Sequence, residues 1–116
     1  MEGLLSEKTK LALEKIIQHC FYINRMADRM VSVLSVKFVM PNTSNIIHKN
    51  YAHWAPVYAD LISDYMDSRD CTTIYGETPR GDQEYENPLD CINKALEMNI
   101  ELEKLLKKSI ETSLEE

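Results

Sequence analysis

The chain has 116 residues, enough for one domain with a modest core. Its 44% hydrophobic and 28% charged residues are ordinary for a globular protein and argue against disordered and fibrous classes. Lys and Arg number 13 against 19 Asp and Glu, giving a net charge of −6, and no basic run alternates with aromatic residues, so nucleic-acid binding is not expected.

The first predicted helix runs from about Glu7 to about Val39. Ser6 is its predicted N-cap, and Pro41 ends it because proline cannot continue a helix. Its apolar residues recur at alternating spacings of three and four, which is typical of a helix that buries one face. This stripe consists of Leu13, Ile16, Cys20, Ile23, Ala27, Met30 and Leu34.

The second predicted helix runs from Thr43 or Ser44 to about Arg69. Pro56 lies inside it and predicts either a kink or a new helix beginning at that residue. The apolar pattern continues across the proline, so we expect one face to be buried along the whole segment. That face consists of Ile47, Tyr51, Trp54, Tyr58, Leu61 and Tyr65.

The third predicted helix begins at about Pro88, which suits a first helical turn, and continues to about Ser113. It carries two apolar sectors more than a quarter turn apart. The first is Met98, Leu102, Leu105 and Leu106, and the second is Leu89, Leu96, Ile100, Ile110 and Leu114. A monomeric three-helix bundle can bury only one sector, so the other predicts self-association.

These elements predict an all-α fold with a single domain over residues 1–116. We expect an up-down-up bundle of three long helices that dimerisation completes. Residues 70–87 form the only long connection, and a connection of that length is usually functional or mobile.

The cysteines and the N-terminal residues favour a cytoplasmic location. Cys20, Cys71 and Cys91 are odd in number and lack a metal-finger spacing, which is typical of reduced thiols. Residues 1–7 contain neither a basic nor an apolar signal region, and no apolar run approaches the roughly 20 residues that cross a bilayer. We therefore expect a cytoplasmic protein without a membrane partner.

Acidic residues line one side of the second predicted helix. Asp60, Asp64 and Asp67 are four and three residues apart, and His53 lies two turns before Asp60 on the same side. A metal ion would neutralise these stacked charges, and carboxylates with an imidazole suit iron, manganese or zinc. The alternative is a solvated helix face without a ligand.

Two amides, Asn24 and Asn99, fall within the predicted core stripes, and Asp28 lies one turn beyond Asn24. Buried amides need hydrogen-bond partners. They predict either a pairing across the bundle that fixes helix register or a small polar site at its middle.

The order of motifs from Val57 to Ile110 resembles that of Dps-like mini-ferritins. The resemblance lies in the acidic pair Asp60 and Asp64, the Ile74-Tyr75-Gly76-Glu77-Thr78-Pro79 turn, and a following helix. It implies a ferritin-like bundle in which Asp60 and Asp64 match the family's paired acidic metal ligands. The sequence departs from that family in having three predicted helices, no E-x-x-H motif, and only His19 as a histidine on the first helix.

Two functions follow from these observations. The first is a ferritin-like protein that binds iron or another divalent metal through Asp60, Asp64 and His53 at a dimer interface. The second is a metal-free helical interaction or assembly protein that acts on itself or on a partner. No nucleophile stands beside a base and no phosphate-binding glycine loop occurs, so hydrolase and kinase chemistries have no support, and enzymatic activity is left open.

Overall fold

The structure is a computed structural model that describes residues 5–114. Its helices are α1 (Glu7–Val36), α2 (Pro41–Ile47), α3 (Trp54–Ser68) and α4 (Pro88–Leu114), with a π-helical turn at His48–Ala52 between α2 and α3. No strand occurs in the described part of the chain. The predicted all-α fold is therefore confirmed.

Helix α1 is the central element of the fold. The side chain of Ser6 accepts a hydrogen bond from the Thr9 backbone N–H (3.1 Å), which confirms the predicted N-cap. Six residues of the predicted stripe are buried, and Leu13 is half-buried against them. Ile17 and Met26 are buried as well, on either side of this stripe. Because α1 is covered on several sides, the other helices are organised around it.

The first helix ends three residues earlier than predicted, at Val36. Pro41 disfavours a helical conformation at the residue before it, and Met40 is accordingly non-helical, with φ −118° and ψ 71°. Val39 has φ 51°, a strained left-handed conformation for a β-branched residue. The reversal between α1 and α2 is therefore made by residues 37–40, ahead of the proline itself.

The second predicted helix is divided by the π-helical turn. The His53 N–H bonds to the His48 carbonyl (3.2 Å), five residues back, which inserts one residue into the helical repeat. Helix α3 then begins at Trp54, so Pro56 falls in its first turn, where a missing N–H is tolerated. The prediction of an interruption is confirmed, although it begins before Pro56.

This interruption changes which face of α3 is buried. The predicted residues Tyr58, Leu61 and Tyr65 are between 36% and 61% exposed, so that part of the predicted core face is wrong. Helix α3 packs against α1 instead through Ala55, Ala59, Ser63 and Met66. Small side chains let two helix backbones approach closely, and the apolar aromatic face is left outside.

The directions of the helices follow from contacts spread along α1. Ser44 bonds to the Val31 carbonyl (3.0 Å) and Asn24 to the Ala52 carbonyl (2.8 Å), so α2 and α3 run antiparallel to α1.

Helix α4 is also antiparallel to α1. The His19 ring bonds to the Met98 carbonyl (2.8 Å), while Lys94 lies 5.5 Å from the centre of the Tyr22 ring. Residues later in α1 thus meet residues earlier in α4. The predicted up-down-up order is wrong, because α3 and α4 are parallel and the order is up-down-down.

The long connection at residues 70–87 explains this topology. It runs along α1 from one end of the molecule to the other, without regular secondary structure. The Ile74 N–H bonds to Glu14 (2.8 Å), and Arg29 bonds to the Gln83 carbonyl (2.9 Å). Tyr85, only 6% exposed, is inserted into the core at the far end. The connection therefore returns the chain to the end where α3 began.

The described residues form an elongated body of 54 × 21 × 21 Å. None of the helices between residues 5 and 114 combines the length and apolar content that crossing a bilayer requires.

Candidate functional site

The main candidate site is an open groove between α3 and α4. Both helices pack against α1, but within residues 5–114 their Cα atoms do not come within 8 Å of each other. Three helices arranged in this way occupy three corners of a four-helix bundle, with α3 and α4 on a diagonal. The fourth corner is the groove.

One end of the groove, with a volume of about 390 Å³, combines aromatic, aliphatic and polar side chains. The Tyr51 hydroxyl donates to the Ala95 carbonyl of α4 (3.2 Å), which ties the two sides together at this end. Trp54 packs on Tyr58, with ring centres 4.1 Å apart. The residues lining this part of the groove are Asn50, Tyr51, Trp54, Asn99, Leu102, Glu103 and Leu106.

Asn24 holds the π-helical turn that presents Tyr51. Pro56 has no N–H to donate to the Ala52 carbonyl, which is one helical turn before it. The side-chain amide of Asn24 donates to that carbonyl instead (2.8 Å), and Ala52 is fully buried. The amide of Asn24 is thus engaged by the backbone of the π-helical turn and not by Asn99. Asn99 is exposed at the groove, so the predicted amide pairing does not occur.

Large exposed apolar side chains are numerous on α3 and α4. On α3 it includes Val57, Tyr58, Leu61 and Tyr65. On α4 the first predicted sector is buried or half-buried, while the second, which we call the outer face, is exposed. Its members Leu89, Leu96, Ile100, Ile110 and Leu114, together with Ile92, are 45% to 82% exposed. Apolar surface on this scale is typical of interaction sites.

The predicted metal ligands lie elsewhere, Asp60 and Asp64 on α3 and His53 directly before it. Asp60, Asp64 and His53 are all exposed, and helical spacing places Asp60 and Asp64 on the side of α3 away from Tyr58. The nearest ring to His53 is that of His48, at 4.3 Å between centres. Among residues 5–114 no group of three or more His, Cys, Asp or Glu side chains could hold a metal ion. The metal interpretation stays a prediction.

A second cleft, of about 550 Å³, lies between α1, α4 and the long connection. The Met98 carbonyl can only accept, so His19 donates to it through Nε2. Tyr22 stacks on His19 and raises the pKa of the neighbouring Lys94 through a hydrogen bond. The rest of the lining combines lysines and glutamates with Gln18, Pro79, Ile100 and Leu105, and the mixed charges select no particular ligand charge.

The cysteines are all free thiols, two of them buried. Burial raises the pKa of Cys20 to about 11 and also raises the pKa of Cys91. Both therefore stay protonated near neutral pH and are poor nucleophiles. These buried thiols act as small core side chains.

Sequence reasoning found the outer face of α4 but missed the exposed aromatic face of α3. The available signal was the run of small residues Ala52, Ala55, Ala59 and Ser63, spaced three, four and four residues apart. Such a run predicts close packing between helices. It indicates a different buried face from the one that the more apolar Tyr and Leu pattern indicates.

No protein-family model, curated protein or solved structure matches this chain.

Proposed function

We propose that this chain is a helical assembly protein that acts through self-association. The observation that carries the proposal is the open groove between two parallel helices, flanked on both sides by large exposed apolar side chains. A fourth helix running in the direction of α1 would be antiparallel to both neighbours, as in many four-helix bundles. A second copy can supply that helix.

The energetics favour association over exposure. Burying one large apolar side chain contributes about 1.5–3 kcal/mol relative to leaving it in water. The outer face of α4 and the exposed face of α3 together offer several such side chains, including Leu61, Tyr65, Leu96 and Ile100. This gain offsets the loss of rotational and translational freedom when two chains associate.

Sedimentation velocity over a range of concentrations tests this function. We expect a dimer or larger assembly at micromolar concentration, and Leu96→Asp should shift it toward monomer because it places a charge on the outer face. Val36→Asp is the matched control, since Val36 is 78% exposed but lies on α1. A wild-type chain that is folded and monomeric would contradict the proposal.

A ferritin-like metal-binding function is the second candidate, and the long connection favours it. Ferritin-like folds carry one long crossover connection, and residues 70–87 make such a crossover here. Asp60 and Asp64 would then hold iron or another divalent metal, with His53 or a second copy completing the ligands. Because these side chains face solvent, a second copy can reach them.

Elemental analysis of the assembled protein after incubation with Fe²⁺, Mn²⁺ or Zn²⁺ tests the second candidate. We expect near-stoichiometric metal that Asp60→Ala or Asp64→Ala removes without a change in helical circular dichroism. The control is Asp82→Ala, which removes an exposed carboxylate from the long connection. Metal content that is equal in all variants would exclude these ligands.

A further inference from the structure

The outer face of α4 contains a regular seam of six exposed residues. Their spacings of four, three, four, three and four match the core positions of a coiled coil. Two opposite charges lie in the middle of the seam and are flanked by apolar residues on both sides. The seam consists of Leu96, Ile100, Glu103, Lys107, Ile110 and Leu114.

The seam is self-complementary in one orientation. When two copies of α4 run antiparallel about a two-fold axis midway between Glu103 and Lys107, every apolar residue meets an apolar residue and every charge meets its opposite. Leu96 lies opposite Leu114 of the partner subunit, Ile100 opposite Ile110 of the partner subunit, and Glu103 opposite Lys107 of the partner subunit.

Other registers lose this match. Sliding one helix by a heptad places Glu103 opposite either Ile100 or Leu114 of the partner subunit, and a charge facing an apolar residue is costly to desolvate. A parallel, in-register pair places Glu103 opposite Glu103 of the partner subunit, which is repulsive. The charges therefore select both the direction and the register of the pair.

The tertiary structure is compatible with the same direction. A two-fold axis across α4 makes the partner's α4 antiparallel to α4, and therefore also to α3, which runs parallel to α4. Glu103 belongs to the seam and also lines the groove beside Trp54. Ile100, which also belongs to the seam, lines the second cleft, so the seam lies on the outer side of α4 between the two clefts.

We propose that α4 binds antiparallel to α4 of a second copy through this seam, with two reciprocal Glu103–Lys107 pairs across the axis. The proposal rests on the self-association proposed above and names its surface. The partner's α4 then lies on the outer side of α4, away from the buried residues that pack against α1. The pairing is isologous and closes at two chains.

Charge exchange at the seam tests this arrangement by sedimentation equilibrium. Glu103→Lys and Lys107→Glu each turn two attractive pairs into two repulsive ones, so each homodimer should weaken about tenfold or more. An equimolar mixture restores both attractive pairs. We expect the mixture to form a heterodimer with a Kd within about threefold of the wild-type value, and native mass spectrometry will identify it by mass.

The doubly exchanged chain, Glu103→Lys with Lys107→Glu, should also recover wild-type affinity. Glu101→Lys and Lys108→Glu are matched controls, because both residues are exposed on another side of α4 and carry the same charge changes. They should dimerise normally, and circular dichroism will check that all variants keep their helices.

The outcomes separate this inference from the proposed function. A wild-type dimer whose affinity is unaffected by either single exchange would overturn the seam but leave self-association intact. Single exchanges that weaken the dimer without recovery in the mixture would also overturn the register. A wild-type monomer would overturn both proposals.

Discussion

The two faces of α4 have similar apolar composition but opposite surroundings. Met98 is 2% exposed against α1, whereas Leu96, two residues earlier, is 59% exposed on the outer face. Both positions satisfy a helical apolar pattern in the sequence. Periodicity therefore identifies a helix face that can be buried. The neighbouring helices decide whether that face is buried within the same chain.

A matched pair of truncations at Met98 and Leu96 separates the two faces most clearly. Met98→Ala removes a buried side chain and should cost about 2–5 kcal/mol of unfolding free energy. Leu96→Ala should change the stability of the monomer by about 0.5 kcal/mol or less and instead weaken dimerisation. Urea denaturation at several protein concentrations measures both effects, because only dimer stability depends on concentration. Equal costs at low concentration would contradict the distinction.

The packing of α1 against the π-helical turn also depends on one polar contact. Asn24→Ala removes the side-chain donor of the buried Ala52 carbonyl and should cost about 1–3 kcal/mol.

The control for this effect is Pro56→Ala, which supplies a backbone N–H one turn after Ala52. In a double-mutant cycle, Asn24→Ala should cost less in the Pro56→Ala background. Additive costs measured by urea denaturation would show that Asn24 does not compensate for the proline.

Alkaline pH should destabilise the core around Cys20. Burial raises the pKa of Cys20 to about 11, above its usual value of about 8.5. The unfolded thiol ionises first, so the stabilising contribution is complete below about pH 8.5 and is lost as the pH rises toward 11. Denaturation curves between pH 8 and 11 should show this loss, and Cys20→Ala should reduce it. Cys71→Ala, a change at a half-buried thiol, is the control.

The smallest expected effect concerns Tyr85, which attaches the long connection to the core. Its hydroxyl is buried and has no hydrogen-bond partner within the described structure. Tyr85→Phe removes this unpaired group while keeping the ring, so it should leave stability unchanged or raise it by about 1 kcal/mol. Thermal denaturation measures the change. A large loss would mean that the hydroxyl has a role in the fold.

Local features of the fold could be predicted because their causes lie close together in the chain. Ser6 caps α1 by accepting from an N–H three residues away, and Pro56 predicts a break in the second helical segment. The outer face of α4 needs only helical spacing to be recognised. The prediction failed for the buried face of α3, because the gain from close packing of Ala55 and Ala59 depends on α1 as a neighbour.

Local sequence pattern was sufficient to predict the helical segments, the Ser6 cap of α1 and the second apolar face of α4, since each depends on residues within a few turns. The direction of α4, the partner of Asn24 and the open groove beside Trp54 depend instead on packing between helices. The path of residues 70–87 is set by contacts such as Gln18 to Glu77, 59 residues apart in sequence. Such contacts have no local pattern, because they form only after α1 is in place.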